Sequence, residues 1–86
     1  MFYYVYILES QLDGTWYTGF TKNIKQRIMH HNSGKGGKTT RQKKDWKIIY
    51  CEAYLNKEDA FGREKFLKGG SGKKYLKKQL KNYLAT

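Results

Sequence analysis

The chain has 86 residues, of which eighteen are Lys or Arg and seven are Asp or Glu, giving a formal net charge of +11. This length fits one small domain, residues 1–86, near the lower limit for a self-sufficient core. No stretch is apolar enough to cross a bilayer, no signal-peptide pattern opens the chain, and the lone Cys51 excludes an internal disulfide. With only His30 and His31 beside Cys51, a structural zinc site is disfavoured, and a reducing cytoplasm is the expected setting.

The charge is unevenly placed. Residues 1–21 hold Glu9 and Asp13 and no base, so every Lys and Arg lies from Lys22 onward. Such an excess points to a polyanion, and an aromatic content of 16% adds surfaces for bases or sugars. The bland alternative is a solvated lysine-rich surface.

Residues 2–9 are dense in aromatic and β-branched types and predict a strand. Asp13-Gly14 is a hairpin turn signal, and Thr15 to Phe20 return as an antiparallel partner. Alternation puts Tyr4, Tyr6 and Leu8 on one face and Tyr3, Val5 and Ile7 on the other. Thr21 is the expected N-cap of a helix over 22–31, in which Ile24, Arg27, Ile28 and His31 share one side. On that side the Arg27 stem either covers a core edge or serves a site.

Residues 32–45 hold three glycines, five bases and no apolar residue, and read as a flexible basic loop. The glycine spacing does not meet the Walker pattern, which rejects nucleotide hydrolysis. Lys35, Lys38, Arg41, Lys43 and Lys44 nevertheless suit a phosphate backbone. Trp46 to Leu55 reads as a third strand. Asn56 caps a second helix that runs to about Lys68 and ends at Gly69-Gly70-Ser71-Gly72. Ala60, Glu64 and Leu67 share one side of it. An acid on a buried stripe is costly unless it is paired or holds a cation, so Glu64 is either a ligand or half of a salt bridge to Arg27 or a lysine. Lys73 to Leu84 is amphipathic, with Leu76, Leu80, Tyr83 and Leu84 on one stripe. It predicts a third helix presenting Lys73 and Lys74 to phosphate; an anionic membrane surface is the weaker alternative.

The order strand, turn, strand, helix, loop, strand, helix, with Tyr4-Val5-Tyr6 and Tyr17-Thr18-Gly19 in place, resembles the GIY-YIG nuclease superfamily, in particular its small stand-alone bacterial members. Lys22 to Arg27 followed by His31-Asn32-Ser33-Gly34, Trp46 to Tyr50 and Ala60 to Lys68 extend the likeness over residues 2–77. The resemblance implies an α+β fold: a three-stranded antiparallel sheet flanked by helices, in β-β-α-β-α-α order. It implies a one-metal endonuclease in which Glu64 binds Mg²⁺ or Mn²⁺ and Arg27 neutralises the phosphate. Tyr6, with Tyr17 beside it, would take the proton from water, a role that a phenol of pKa about 10 performs only with help. His31 would orient Tyr17, contact phosphate, or pack.

Val5, Tyr4 and Thr18 depart from the signature triplets, and the glycines at 69–72 are more flexible than the residues relatives carry there. Most family nucleases own a separate DNA-binding domain. Here affinity would come from the loop, the terminal lysines, a homodimer or a partner protein. The expected partner is DNA, with RNA as the alternative nucleic acid, and no membrane. The competing function is a non-catalytic basic nucleic-acid-binding module on the same fold.

Overall fold

The computed structural model describes residues 1–33 and 45–86. The expected nucleic-acid contacts Lys35, Lys38, Arg41, Lys43 and Lys44 lie outside the described residues.

Strand β1 (Tyr3–Ser10) is the centre of a three-stranded antiparallel sheet, with β2 (Trp16–Thr21) on one side and β3 (Trp46–Tyr54) on the other. Gly14 makes the β1–β2 turn with φ +74, in the left-handed region that costs glycine little. Asp13 stabilises the turn by accepting from the Thr15 N–H and hydroxyl. Helix α1 spans Ile24–Asn32, α2 Lys57–Lys68, α3 Gly70–Gln79 and α4 Lys81–Leu84. The α+β architecture is the one expected.

The alternation in β1 sorts the core into two layers. Val5 and Ile7 pack with Ala60, Leu67 and Leu76 of α2 and α3. Tyr6 and Leu8 pack on the opposite face with Trp46, Ile24 and Ile28 beneath α1. Each β1 residue thus serves one layer, as the pleat requires.

Both ends of α1 differ from expectation. The cap of α1 is Asn23, whose side chain accepts from the Gln26 N–H, while Thr21 ends β2. The Thr21 hydroxyl instead accepts from the Asn23 N–H and shapes the turn before the helix. Asn32, expected in the loop, is the last residue of α1. Its amide binds both the N–H and the C=O of Trp46, at 2.6 and 3.0 Å, and so fixes the start of β3 against the end of α1.

Gly69 to Gly72 also behave differently. Gly69 caps α2, but α3 begins at once with Gly70, so the glycines are the first turn of a helix. Gly72 is buried, and a Cβ there would stand 2.1 Å from the Phe66 carbonyl oxygen and 2.5 Å from Leu67 Cα. The absence of a side chain is what lets α3 fold back on the end of α2. These residues serve close packing, where flexibility was expected.

Candidate active site

Tyr6 lies opposite Gly19 across the β1–β2 pair. A Cβ on Gly19 would stand 2.3 Å from both Cζ and Oη of Tyr6, so the ring occupies the space that a side chain on β2 would need. That passage carries the phenol over the edge strand to α1, where Oη and His31 Nε2 are 3.1 Å apart. Both residues are 1% exposed. The Tyr17 ring lies 5.0 Å from the His31 ring, centroid to centroid, and 6.4 Å from that of Trp46. The structure therefore brings Tyr6, Tyr17 and His31 together.

Burial sets the protonation of this group. It pushes the Tyr6 phenol well above its ordinary value, and the neighbouring Tyr17 and Glu64 act in the same direction while Arg27 opposes them. Burial also lowers His31, helped by the positive charges of Arg27 and His30. The phenol keeps its proton and the imidazole stays neutral. A hydrogen bond between a protonated phenol and a neutral imidazole is a pair through which one proton can pass.

Arg27 is exposed on α1, one turn before His31, and its charge is felt by both Tyr6 and His31. Glu64 arrives from the other side. On α2, Phe61 stacks on Phe20, with ring centroids 5.0 Å apart, and Leu67 and Lys68 line a groove with Trp16, Tyr17 and Thr18. Helix α2 therefore runs antiparallel beside β2, with Glu64 between those two levels, alongside Gly19. Its charge reaches Tyr6.

The Glu64 side chain is 13% exposed, and Lys68, one turn on, lies 3.2 Å from it. This is the lysine pair foreseen as the alternative to a ligand role. Lys68 is itself 57% exposed, so the pair contributes little to stability. Among the described residues Lys68 is the one partner of this carboxylate, which leaves most of its acceptor positions available. No group of three or more His, Cys, Asp or Glu converges among the described residues. A single carboxylate with acceptor positions to spare fits a hard divalent ion, which takes one or two carboxylates and completes its shell with water and substrate phosphate. Lys73 lines the groove beside Tyr17, and Lys74 is exposed on the same helix.

Sequence reasoning passed over a second polar cluster. Arg63 donates through Nε and a terminal nitrogen to the two Glu52 oxygens, at 2.9 and 3.0 Å. The Tyr50 and Tyr54 hydroxyls donate to the same carboxylate. The guanidinium also lies 4.6 Å from the Tyr75 ring and 5.1 Å from that of Phe66. Burial alone would raise Glu52, but Arg63 and the two tyrosines hold its carboxyl below the usual range. The signal available in the sequence was the alternation Tyr50, Glu52, Tyr54 in a strand. The cluster locks α2 to β3 at the residue before Glu64.

The relatives agree with this architecture. A UPF0213 protein of Streptococcus agalactiae is 45% identical over 65 residues, 76% of this chain and 73% of the relative. One of Pediococcus acidilactici is 44% identical over 82 residues, 93% of this chain and 82% of the relative. The solution structure of a UPF0213 protein from Bacillus halodurans superposes with a TM-score of 0.54 at 41% identity, over 88% of this chain and 82% of that one. Residues 2–80 match the GIY-YIG catalytic domain, so the chain that crosses a tyrosine over Gly19 and sets Glu64 beside it belongs to the GIY-YIG family.

Proposed function

We propose that this protein is a metal-dependent endonuclease that hydrolyses DNA phosphodiester bonds, with branched or nicked structures met in repair or processing as its substrates. The observation that carries the reading is the Tyr6–His31 bond, within reach of the charges of Arg27 and Glu64, at the edge of the sheet. A pure binding module has no use for a carboxylate turned toward phosphate, since it repels the ligand.

Each residue has a role that its surroundings support. Arg27 neutralises charge building on the phosphate, its planar fork matching two oxygens. Tyr6 accepts a proton from the attacking water as its own proton moves to His31 Nε2, which answers the difficulty of a buried phenol acting as base. The hydroxide so formed attacks phosphorus, the bond to the leaving sugar oxygen breaks, and that oxygen takes a proton from solvent water to leave as a hydroxyl. Tyr17 packs on His31 and holds the imidazole in line. Glu64 would hold Mg²⁺ or Mn²⁺, which when bound supplies Lewis-acid charge to the scissile phosphate.

The test is nicking of supercoiled plasmid and of branched DNA with Mg²⁺ or Mn²⁺. Cleavage should need the metal and fall at least a thousandfold in Glu64→Ala while DNA binding survives. If natural protein and variant both bind and neither cuts, the binding-module reading replaces this one.

A further inference from the structure

Two open basic grooves lie at opposite ends of the edge strand β2. At the Trp16 end, Lys68 and Lys73 line a groove of about 310 Å³ with Tyr17 and Thr18. It adjoins a larger groove of about 550 Å³ through Trp16 and Lys73, and Lys77 lies along that extension. At the Thr21 end, Lys22, Arg27 and Lys57 line a groove of about 330 Å³ against Tyr3 and Phe20. Neither groove that touches β2 beyond Trp16 is lined by an acid. The one acid in the extension, Glu9, is already engaged by the Trp16 indole N–H and the Tyr83 hydroxyl. The level of Gly19, which the Tyr6 ring crosses and where the charge of Glu64 reaches it, falls between the two grooves.

We propose that the outer edge of β2 is the track for one strand of the nucleic-acid substrate, with phosphates held by Lys22 and Lys57 on one side of the cut and by Lys68, Lys73 and Lys77 on the other. The inference rests on the nuclease reading and adds where the substrate lies and in which direction it runs. Dimensions agree with it. Five residue steps from Trp16 to Thr21 span about 17 Å at roughly 3.4 Å each. One nucleic-acid strand advances about 3.4 Å per phosphate in a stacked duplex, so the edge matches about five nucleotides. Lys73 and Lys77 are one turn apart on α3, about 6 Å along the axis, of the same order as the through-space separation of neighbouring phosphates on one strand. The lysines at the two ends contact a polyanion only if it passes the Tyr6–Glu64 level between them, so the track delivers a phosphodiester to the candidate site.

The experiment is fluorescence anisotropy with labelled DNA oligonucleotides, single-stranded and duplex, in the absence of metal and on a Glu64→Ala background so that no cutting intervenes. Three charge-matched double variants are compared: Lys22→Glu with Lys57→Glu, Lys73→Glu with Lys77→Glu, and Lys78→Glu with Lys81→Glu, the last lying outside both grooves. Circular dichroism and melting confirm that each is folded. Each groove variant should weaken binding at least tenfold and flatten the single-strand salt dependence by roughly 1.4 (two contacts at about 0.7 each), while the third changes binding less than threefold. Affinity should stop rising with oligonucleotide length at about six to eight nucleotides. Equal losses in all three variants, or none in the groove variants, overturn the track and leave the nuclease reading standing. No binding by the Glu64→Ala parent overturns both.

Discussion

On the face of the sheet that carries Val5 and Ile7, the Glu52 carboxylate accepts from Arg63, Tyr50 and Tyr54 together. On the other face the Tyr6 hydroxyl bonds a neutral His31, and the nearby charges, Arg27 and Glu64, reach the sheet edge with little to occupy them inside the protein. The first face spends a carboxylate and a guanidinium on each other and gains a fixed helix. The second keeps its carboxylate and guanidinium apart, on different helices, where something from outside can bind between them. Among the described residues no buried side-chain polar atom lacks a partner, so the contrast lies in how many donors each carboxylate has rather than in strain. Arg63 and Glu64 are adjacent on α2, one turned to each task.

The comparison can be broken at four points, in order of expected stability cost. Gly72→Ala strikes the closed face hardest. Its methyl would meet the Phe66 carbonyl and Leu67 Cα, both backbone, so α3 must lift from α2. A loss of about 3 kcal/mol in urea unfolding is expected, at the upper end of overpacking costs. Arg63→Ala comes next. Leaving the Glu52 carboxylate partly buried with only tyrosine donors should cost about 2 kcal/mol, below the figure for a fully buried pair because both groups keep some exposure. If Arg63→Ala melts like the natural protein, the cluster does not hold α2.

The sequence made one face far more legible than the other. Helical spacing in α1 and α2 singled out Arg27, His31 and Glu64, whereas Tyr6 and Tyr17, and the roles of all five, came from the resemblance of the two tyrosine triplets to the GIY-YIG superfamily. The Glu52 cluster could not be named, because β3 breaks its own alternation. Leu8 pairs with Ile48 and Ile7 with Tyr50, so Ile49 is an extra residue at a bulge. Trp46 and Ile48 face α1, and simple alternation would send Tyr50, Glu52 and Tyr54 the same way. The bulge turns these three to α2 instead. Such a register shift is a property of pairing with β1, more than forty residues away, and no window of β3 alone contains it. The glycines at 69–72 were misread for a related reason. A run of glycine signals freedom locally, whereas at Gly72 the requirement is the approach of a helix that must first be placed.

Gly19→Ala should separate the two faces most sharply. The added methyl collides with the Tyr6 ring at Cζ and Oη, and the ring must swing away from His31 to make room. A stability loss of about 1 kcal/mol, near the low end for overpacking, should accompany a fall in cleavage of a hundredfold or more. The Glu52 cluster should be untouched, so amide exchange across α2 and β3 stays natural. Cleavage that persists at the natural rate would show that the Tyr6–His31 bond plays no part in the chemistry.

The smallest effect is a slope with pH, and it also belongs to one face. Burial, with Arg27 and His30, holds the folded His31 below the ordinary histidine value of about 6.5. The unfolded chain therefore takes up a proton that the folded chain resists. Stability from this group is complete above about pH 6.5 and is lost as pH falls from there toward the lowered folded value. Glu52 and Glu9 act in the same direction but only in the carboxylate range, since their folded values also lie below the ordinary ones. Melting measured between pH 7.5 and 5.5 thus reads mainly His31, and the melting temperature should decline over that interval. His31→Phe leaves the Tyr6 hydroxyl without its partner, so it should melt lower at every pH yet with a flatter profile. Cleavage by the folded protein should hold where stability first declines and fall only as pH reaches the lowered folded value of His31, because an imidazolium cannot receive the Tyr6 proton. An acid limb of the cleavage profile that is unchanged in His31→Phe would assign His31 to packing alone, and the two faces would then differ in their carboxylates and not in their proton chemistry.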